Sequence, residues 1–338
     1  MDATYSLGED LSGVGIYSRE LLNGLAGAHP ERGWLYYYRP HRFLRSFQSD
    51  IPRNAHRRLL LERSGRPAAL FHGLNQRLPR RRFGKQIATF HDLFVLTGDY
   101  STGEFRRRFA DQARHAAAEA DRIIAVSAFT AHQVETLLDV DPARIRVIHH
   151  GVRALTVHPP AREKIILSVG AIQARKNIAR LVQAFESAPP DWTLVLAGSH
   201  GFGSDAILRR IEKSPRRSQI RLTGYVTSAE LARWYARATI FAFPSLDEGF
   251  GMPVLEAMAA GVPVVSSNRS ALPEVCGNAA LLASPDNVDE IAECLNRVIQ
   301  DDALRETLIE RGKQRAAEFT WRKAANATWD VYSELSAF

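Results

Sequence analysis

The sequence predicts an α/β protein built of two doubly wound, Rossmann-like domains. Short apolar runs of strand length alternate with amphipathic helical stretches along the whole chain. Several of those runs end in glycine-bearing loops that open the next helix, the pattern of βα units in a parallel sheet. A Pro-containing connector, Arg153 to Glu163, divides the pattern in two. The expected boundaries are therefore 1–152, 153–319 and a closing helix over 320–338. A chain of 338 residues can bury two cores of this kind.

Only Met1 to Leu7 is available for a first strand before Ser12-Gly13-Val14-Gly15-Ile16-Tyr17, so that strand is either short or trimmed at its start; Ser18 to Leu25 reads as a helix. Gly13-x-Gly15 lacks the third glycine of a dinucleotide fingerprint and alone marks a tight turn. Trp34 to Tyr38 and Ala68 to Phe71 read as strands. Ile87 to Phe90 is another, delivering His91-Asp92 at its C-terminal end, where open parallel sheets bind ligands. Phe105 to Ala120 reads as a helix, Arg122 to Val126 as a strand, and Ser127 as the cap of a helix through Leu138. Ile145 to Ile148 runs into His149-His150, which lacks a third ligand at metal-site spacing and predicts no metal.

After the connector, Ile165 to Val169 is a buried strand leading through Gly170 to Arg175-Lys176 and an amphipathic helix ending at Phe185. Cations at a strand-to-helix turn can meet a diphosphate; a solvated basic pair is the plainer reading. Trp192 to Ala197 and Ile220 to Thr223 are strands, the first followed by a glycine-rich structural turn, the second by Gly224-Tyr225-Val226. Ser228 is the expected cap of a helix to Arg237. Val264 to Ser267 is a further strand, and helices are expected from Leu272, over 286–300, over 303–319 and from Thr320 to Leu335.

Composition removes several classes. Cys276 and Cys294 offer neither a disulfide framework nor metal spacing, which fits a reducing compartment. MDATYSLGEDL lacks the basic start and apolar core of a signal peptide. No apolar run approaches the ~20 residues that span a bilayer. The expectation is a cytoplasmic enzyme. The net charge of +7 is uneven: Arg39 to Lys85 carries 13 Lys/Arg against 2 acids, an excess greater than that of the whole chain. That stretch is either a solvated basic face or a peripheral contact with an anionic membrane or lipid-linked acceptor. No nucleic-acid-binding module accompanies it.

The chain is organised around FPSLDEGFGMPVLEAMAAGVPVV, from Phe243 to Val265. An apolar strand, Thr239 to Phe243, feeds a loop in which Gly249 and Gly251 flank Phe250, and Pro253 to Ala260 then reads as a short helix ended by Gly261. A glycine loop feeding a helix N-terminus suits a phosphate. Glu248 and Glu256 bracket it with seven residues between them. Carboxylates beside an anion site suggest a ligand with both phosphates and sugar hydroxyls. As single residues, both would ordinarily be solvated surface charges.

Together these residues closely resemble the signature of family 4 retaining glycosyltransferases, whose fold is GT-B. The resemblance implies two Rossmann-like domains facing across a cleft, with the last helix crossing back onto the first. It implies a sugar moved from a nucleotide-diphosphate donor to a hydroxyl of a glycan or polyprenyl-linked acceptor, with no essential metal. Carried over by position, Lys176 and Arg175 would meet the donor diphosphate, although the arginine common directly after the first glycine is Ala171 here. Glu256 would hold the ribose, and Glu248 the transferred sugar. Gly249, Phe250 and Gly251 would line the phosphates, Val226 the base. Gly13 and Gly15 would approach the donor phosphate, and His91 the sugar. SGVGIY, FHGLNQRLP and ATFHDL look most like bacterial mannosyltransferases of surface polysaccharides, making GDP-mannose the preferred donor and UDP-sugars the runner-up. Alternatives are a GT-B epimerase or phosphorylase, a nicotinamide oxidoreductase, or a non-enzymatic membrane- or glycan-binding protein.

Overall fold

The structure, a computed structural model, describes residues 1–9, 11–63, 68–153 and 162–335. It divides into two compact units. The first comprises Met1–Thr97, Thr102–Gly151 and the chain from Phe319 onward; the second comprises Gly98–Ser101 and Val152–Glu318. The expected connector lies, over 154–161, outside the described residues. Among the described residues no helix is long and apolar enough to cross a membrane.

In the first unit, β1 (Trp34–Tyr38) pairs in parallel with β2 (Ala55–Leu59). A second parallel sheet runs in the order β3 (Leu70–Gly73), β4 (Lys85–Phe90), β5 (Arg122–Ala125), β6 (Ile145–Val147). Three residues at the chain start link the two. Asp2 forms a parallel bridge to Tyr37, its N–H donates to the His72 carbonyl at 2.9 Å, and the Ala3 N–H donates to the Tyr37 carbonyl at 2.8 Å. What stands at the expected first strand is this isolated bridge at Asp2. Strand β2 was not legible: in Ala-His-Arg-Arg-Leu only Ala55 is buried, as suits a charged edge strand.

The helix Gly13–Ala28 begins five residues earlier than its apolar pattern announces. It buries Tyr17, Leu21, Leu22 and Leu25 in a core shared with Trp34, Tyr36 and the last helix, Trp321–Leu335. Small residues let the two helices approach: a Cβ on Gly24 would sit 3.1 Å from Ala325 Cβ. The last helix thus packs as part of this unit, through Ala324, Ala325, Val331 and Tyr332. As expected, Ser127 caps the helix Ala128–Leu138, accepting from the Thr130 N–H at 3.0 Å.

The second unit holds six parallel strands: β7 (Glu163–Val169), β8 (Thr193–Ala197), β9 (Ile220–Gly224), β10 (Ala238–Phe243), β11 (Val264–Ser267) and β12 (Ala280–Ala283). Their order is β12-β11-β10-β7-β8-β9. Connections from β7 proceed to one side and those from β10 to the other, so these central neighbours form the switch point of a doubly wound sheet. Ile240 to Phe243 are nearly inaccessible, as strands covered on both faces must be. Arg162 closes the far end of the unit, donating to the carbonyls of Ala260 at 2.7 Å and Gly261 at 2.9 Å. One cap differs from expectation: Thr227, not Ser228, caps the helix Ser228–Arg237 in a reciprocal box with Glu230. The helix Ser204–Glu212 and strand β12 were not anticipated.

Gly151 tests the seat of the last helix. A Cβ there would fall 2.2 Å from the backbone nitrogen of Trp321, which cannot yield without moving the helix start. Gly151→Ala is expected to cost about 1–3 kcal/mol or more, as overpacking does. Denaturant unfolding would measure it, with Gly27→Ala, which meets nothing within 4 Å, as the control.

Candidate nucleotide-sugar site

The ends of β7 and β10 bring three charged side chains together. After β7 the chain turns at Gly170, whose φ of +135° is the left-handed region that only glycine enters readily. A Cβ at Gly170 would also press on the Lys176 side chain at 3.2 Å, so the glycine lets that side chain fold back over the strand end. Gly198, after β8, has a Cβ position only 2.0 Å from the Gly170 carbonyl, which confirms the structural reading of that turn. Arg175 and Lys176 lie on a single turn, Ala174–Lys176. Asn177 then adopts φ +58° and donates to the carbonyls of Pro244 at 3.0 Å and Pro285 at 2.6 Å. The Arg175 carbonyl accepts from the Leu246 N–H at 2.8 Å, lacing the two loops together.

Glu248 is the centre. One carboxylate oxygen is 2.9 Å from Arg175 Nη1, the other 2.6 Å from Lys176 Nζ, and all three side chains are close to 90% buried. Arg175 also donates to the Asp247 carbonyl. The Lys176 ammonium lies 4.5 Å from the centroid of the Phe243 ring at the end of β10. Burial opposes ionisation of Glu248, but Arg175 and Lys176 together outweigh it and hold the carboxyl down to about 2. Its N–H donates to the Ser270 hydroxyl at 3.0 Å, and its carbonyl accepts from Ala271 at 3.2 Å.

Gly249, Phe250 and Gly251 follow, leading into the helix Met252–Ala259. Gly251 is required twice over: φ is +112°, and a Cβ would lie 2.8 Å from Leu272. The Phe250 ring is in the core, so what this residue can offer a ligand is backbone. Glu256 is half-buried on that helix and accepts from the Tyr235 hydroxyl at 3.0 Å. Burial pushes its carboxyl up to about 7, against the smaller pulls of Tyr235 and Arg153. Val226 is half-buried just beyond β9, at the edge of the sheet, beside the exposed Tyr225.

The remaining expected residues lie in the first unit. Gly13 and Gly15 are inside the first turn of their helix rather than in a loop before it. Gly15 has a structural reason to be glycine, since a Cβ would sit 2.9 Å from the Tyr5 carbonyl. His91 is buried just past β4 with its ring edge-on to Tyr17 at 4.7 Å and 5.3 Å from the His150 ring. Its Nε2–H donates to the Leu74 carbonyl at 2.9 Å, because a carbonyl can only accept. That fixes the tautomer and leaves Nδ1 a buried acceptor without a partner among the described residues. Burial, partly offset by the Leu74 bond, lowers the ring to about 4, so His91 is neutral at physiological pH.

Sequence reasoning missed Asn177, Ser270, Tyr235 and Tyr100. Ser270 holds φ +57°, a backbone state its residue type does not advertise. Tyr100 belongs to the short segment that clusters with the second unit; burial and then Asp247 push its phenol up.

Cations and a carboxylate converging on a glycine loop, at the switch point of a doubly wound sheet, can hold a ligand bearing both phosphate and hydroxyl groups. Solved structures with this fold include sucrose-phosphate synthase from Thermosynechococcus elongatus, at a TM-score of 0.80 and 21% identity over 99% of this chain and 97% of that one. Anabaena HepE, solved with UDP and glucose, aligns at a TM-score of 0.74 and 17% identity over 97% of each. The fold is GT-B, and fold and site together define a glycosyltransferase. The model described as Glycosyltransferase Family 4 matches residues 11–154, and that described as Glycosyl transferases group 1 matches 157–315. O-antigen chain mannosyltransferase B of Escherichia coli is 33% identical over 284 residues, 79% of this chain and 74% of that protein. The serotype-specific mannosyltransferase WbdA of the same species is 30% identical over 278 residues, of which this chain spans only 34% of the length. The chain belongs to the family 4 glycosyltransferases.

The ion triad has a pH signature. A carboxyl held below its ordinary 4.5 contributes stability in full above that value and loses it as pH falls toward 2. Thermal unfolding midpoints of the wild type and Glu248→Gln are therefore expected to differ at neutral pH and to converge on acidification through that window.

Proposed function

We propose that this glycosyltransferase is a retaining mannosyltransferase, moving mannose from GDP-mannose to a hydroxyl of a glycan carried on a lipid, in the synthesis of a cell-surface polysaccharide. The observation that carries the reading is Glu248 held between Arg175 and Lys176 at the ends of β7 and β10. The mannosyltransferase names of its relatives support the sugar.

In this reading Arg175 and Lys176 neutralise the leaving diphosphate, with the N–H groups at the start of the helix Met252–Ala259 beside them. Glu248 is freed from one or both cations as the diphosphate arrives, and its carboxylate then faces the sugar hydroxyls and the developing oxocarbenium charge. Glu256 takes the ribose hydroxyls. Gly249, Phe250 and Gly251 admit the phosphates along their backbone, and Val226 flanks the base. His91 meets the sugar as a neutral acceptor through Nδ1, and the first turn of the helix at Gly13 and Gly15 approaches the donor phosphate. In this reading the donor phosphate itself takes the acceptor proton in a front-face displacement. No metal is assigned a part.

The first test is thermal shift against GDP, UDP, ADP, TDP and NAD, since a ligand of the folded state raises the midpoint. A shift with GDP that disappears in Lys176→Ala supports the reading. A shift with UDP alone keeps the site and overturns the mannose donor, an outcome with some support in the UDP complexes of HepE. Proton NMR of the product settles the stereochemistry: an α-linked sugar from an α-donor is expected, and a β-linkage would overturn retention.

Glu256 makes a second prediction. A hydroxyl acceptor titrating near 7 is about one-tenth ionised a unit below that value, so donor affinity should rise roughly tenfold between about pH 6 and about pH 8. GDP-mannose suits the titration because its phosphate diesters stay ionised throughout. Calorimetry should show the slope in the wild type and a flat, weaker profile in Glu256→Gln.

A further inference from the structure

One pocket of the first unit takes no part in the site described above. It measures about 740 Å³ and is lined by Arg19, Arg42 and Arg45, with Ser12, Gln48 and a single acid among the described residues, Glu9. The arginines come from three elements: the helix Gly13–Ala28, the turn Pro40–Phe43 and the tighter turn Leu44–Gln48. Neither Arg42 nor Arg45 has a carboxylate partner among the described residues, and Arg19 leans on the Gly8 carbonyl at 3.3 Å. Gly8 has φ +112°, and a Cβ there would lie 3.3 Å from the Arg45 guanidinium, so the backbone is shaped to bring that cation in. Ser12 precedes the helix start without a side-chain capping bond, and lines the same pocket.

The segment Pro40–Gln48 repeats with a period of three, as tight helical turns do. Phe43 and Ser46 face inward, Ser46 fully buried. Arg42, Arg45 and Gln48 face the pocket. Leu44 and Phe47 face solvent, 81% and 61% exposed, and they are the most exposed large apolar side chains among the described residues. Exposed Arg53, His56 and Arg58 lie on and beside the neighbouring edge strand β2. One short segment thus presents an anion pocket and an apolar tip side by side, within the most basic part of the chain.

We propose that this pocket binds the phosphate or diphosphate by which a glycan acceptor is anchored to a membrane lipid, with Leu44 and Phe47 entering the lipid layer beside it. Among the described residues three guanidinium forks stand against one carboxylate, which suits a group of two or more negative charges, whereas a phospholipid diester carries one. Bidentate arginine contacts select the phosphate, and the apolar tip sets the depth of approach. The inference rests on the transferase reading for the glycan carried by that lipid, but not for the binding itself.

The test is flotation of the full chain with phosphatidylcholine vesicles doped with a long-chain polyprenyl phosphate. Vesicles doped with phosphatidylglycerol to the same surface charge serve for comparison. Preferential binding to the polyprenyl phosphate vesicles is expected. Arg42→Gln with Arg45→Gln should weaken that binding roughly 25-fold, from about fivefold for each arginine at an anionic surface. Leu44→Ser with Phe47→Ser, at positions too exposed to disturb the core, should also weaken it. Equal binding to both vesicle types, binding to neither, or wild-type binding by the arginine pair would each overturn the proposal. No donor is present, so failure here leaves the transferase reading standing, and failure of the nucleotide shift leaves this one standing.

Discussion

The second unit is arranged around one buried carboxylate between two buried cations. Removing three charged groups from water is expensive, and such clusters are poor devices for stability alone. The fold nevertheless devotes strained backbone to it, with left-handed states at Gly170, Asn177, Gly251 and Ser270 all within these loops. The triad carries a net charge of +1 with Glu248 ionised, so in the proposed reading an arriving diphosphate finds cations already in place and only partly neutralised. In that reading Glu248 is a stand-in anion that keeps Arg175 and Lys176 converged until the diphosphate displaces it. Preorganisation of this kind moves the cost of assembling the charges from binding to folding.

The sheet order makes that arrangement economical. In a doubly wound sheet only the switch point has two adjacent strands whose loops diverge, opening a crevice at their C-terminal ends. Both loops of the triad leave from those two strands, and the Leu246–Arg175 hydrogen bond and the two bonds from Asn177 fix their spacing. The organising role of residues 243–265 was legible because glycine, proline and acid spacing are local signals. Arg175 and Lys176 were legible through their place at a strand-to-helix turn. Ser270 was not: it reaches Glu248 from 22 residues away, through a backbone state its side chain does not announce. Strands β2 and β12 were hidden for another reason. An edge or surface strand buries too little of one face to show alternation, and sequence pattern reads burial rather than hydrogen bonding.

In the first unit the buried polar groups form a chain of hydrogen bonds. The Tyr17 hydroxyl meets Thr89 at 3.0 Å, Thr89 meets His72 Nε2 at 2.8 Å, and His72 Nδ1 meets the Tyr332 hydroxyl at 2.7 Å. Burial keeps His72 neutral, so the network has one donor for each acceptor rather than a charge to be balanced. It ties β3, β4, the glycine-led first helix and the last helix into one assembly, and the Tyr17 ring supports His91. A terminal helix would ordinarily be the first element to fray. Here its Tyr332 is held by the buried His72 at the other end of that hydrogen-bond chain, which ties the last helix to this unit.

The two glutamates of the organising stretch show how environment, not residue type, assigns chemistry. Glu248 is the more deeply buried, and burial alone would raise its carboxyl, yet its two cations bring it to about 2. Glu256, one short loop away, has a tyrosine hydroxyl and a more distant arginine, and stands near 7. Groups pushed apart in this way are commonly divided between opposite tasks in proton transfer. The charged groups that face Glu248 among the described residues are the cations Arg175 and Lys176, and the division here is of another kind. A carboxylate ionised at any physiological pH can compete with phosphate for cations, as Glu248 does. One close to its midpoint is best stabilised in its charged form by hydroxyls donating to it, as the Tyr235 hydroxyl already does for Glu256. The proposed phosphate-facing and hydroxyl-facing ends of the site thus differ in electrostatics, Glu248 held down and Glu256 pushed up.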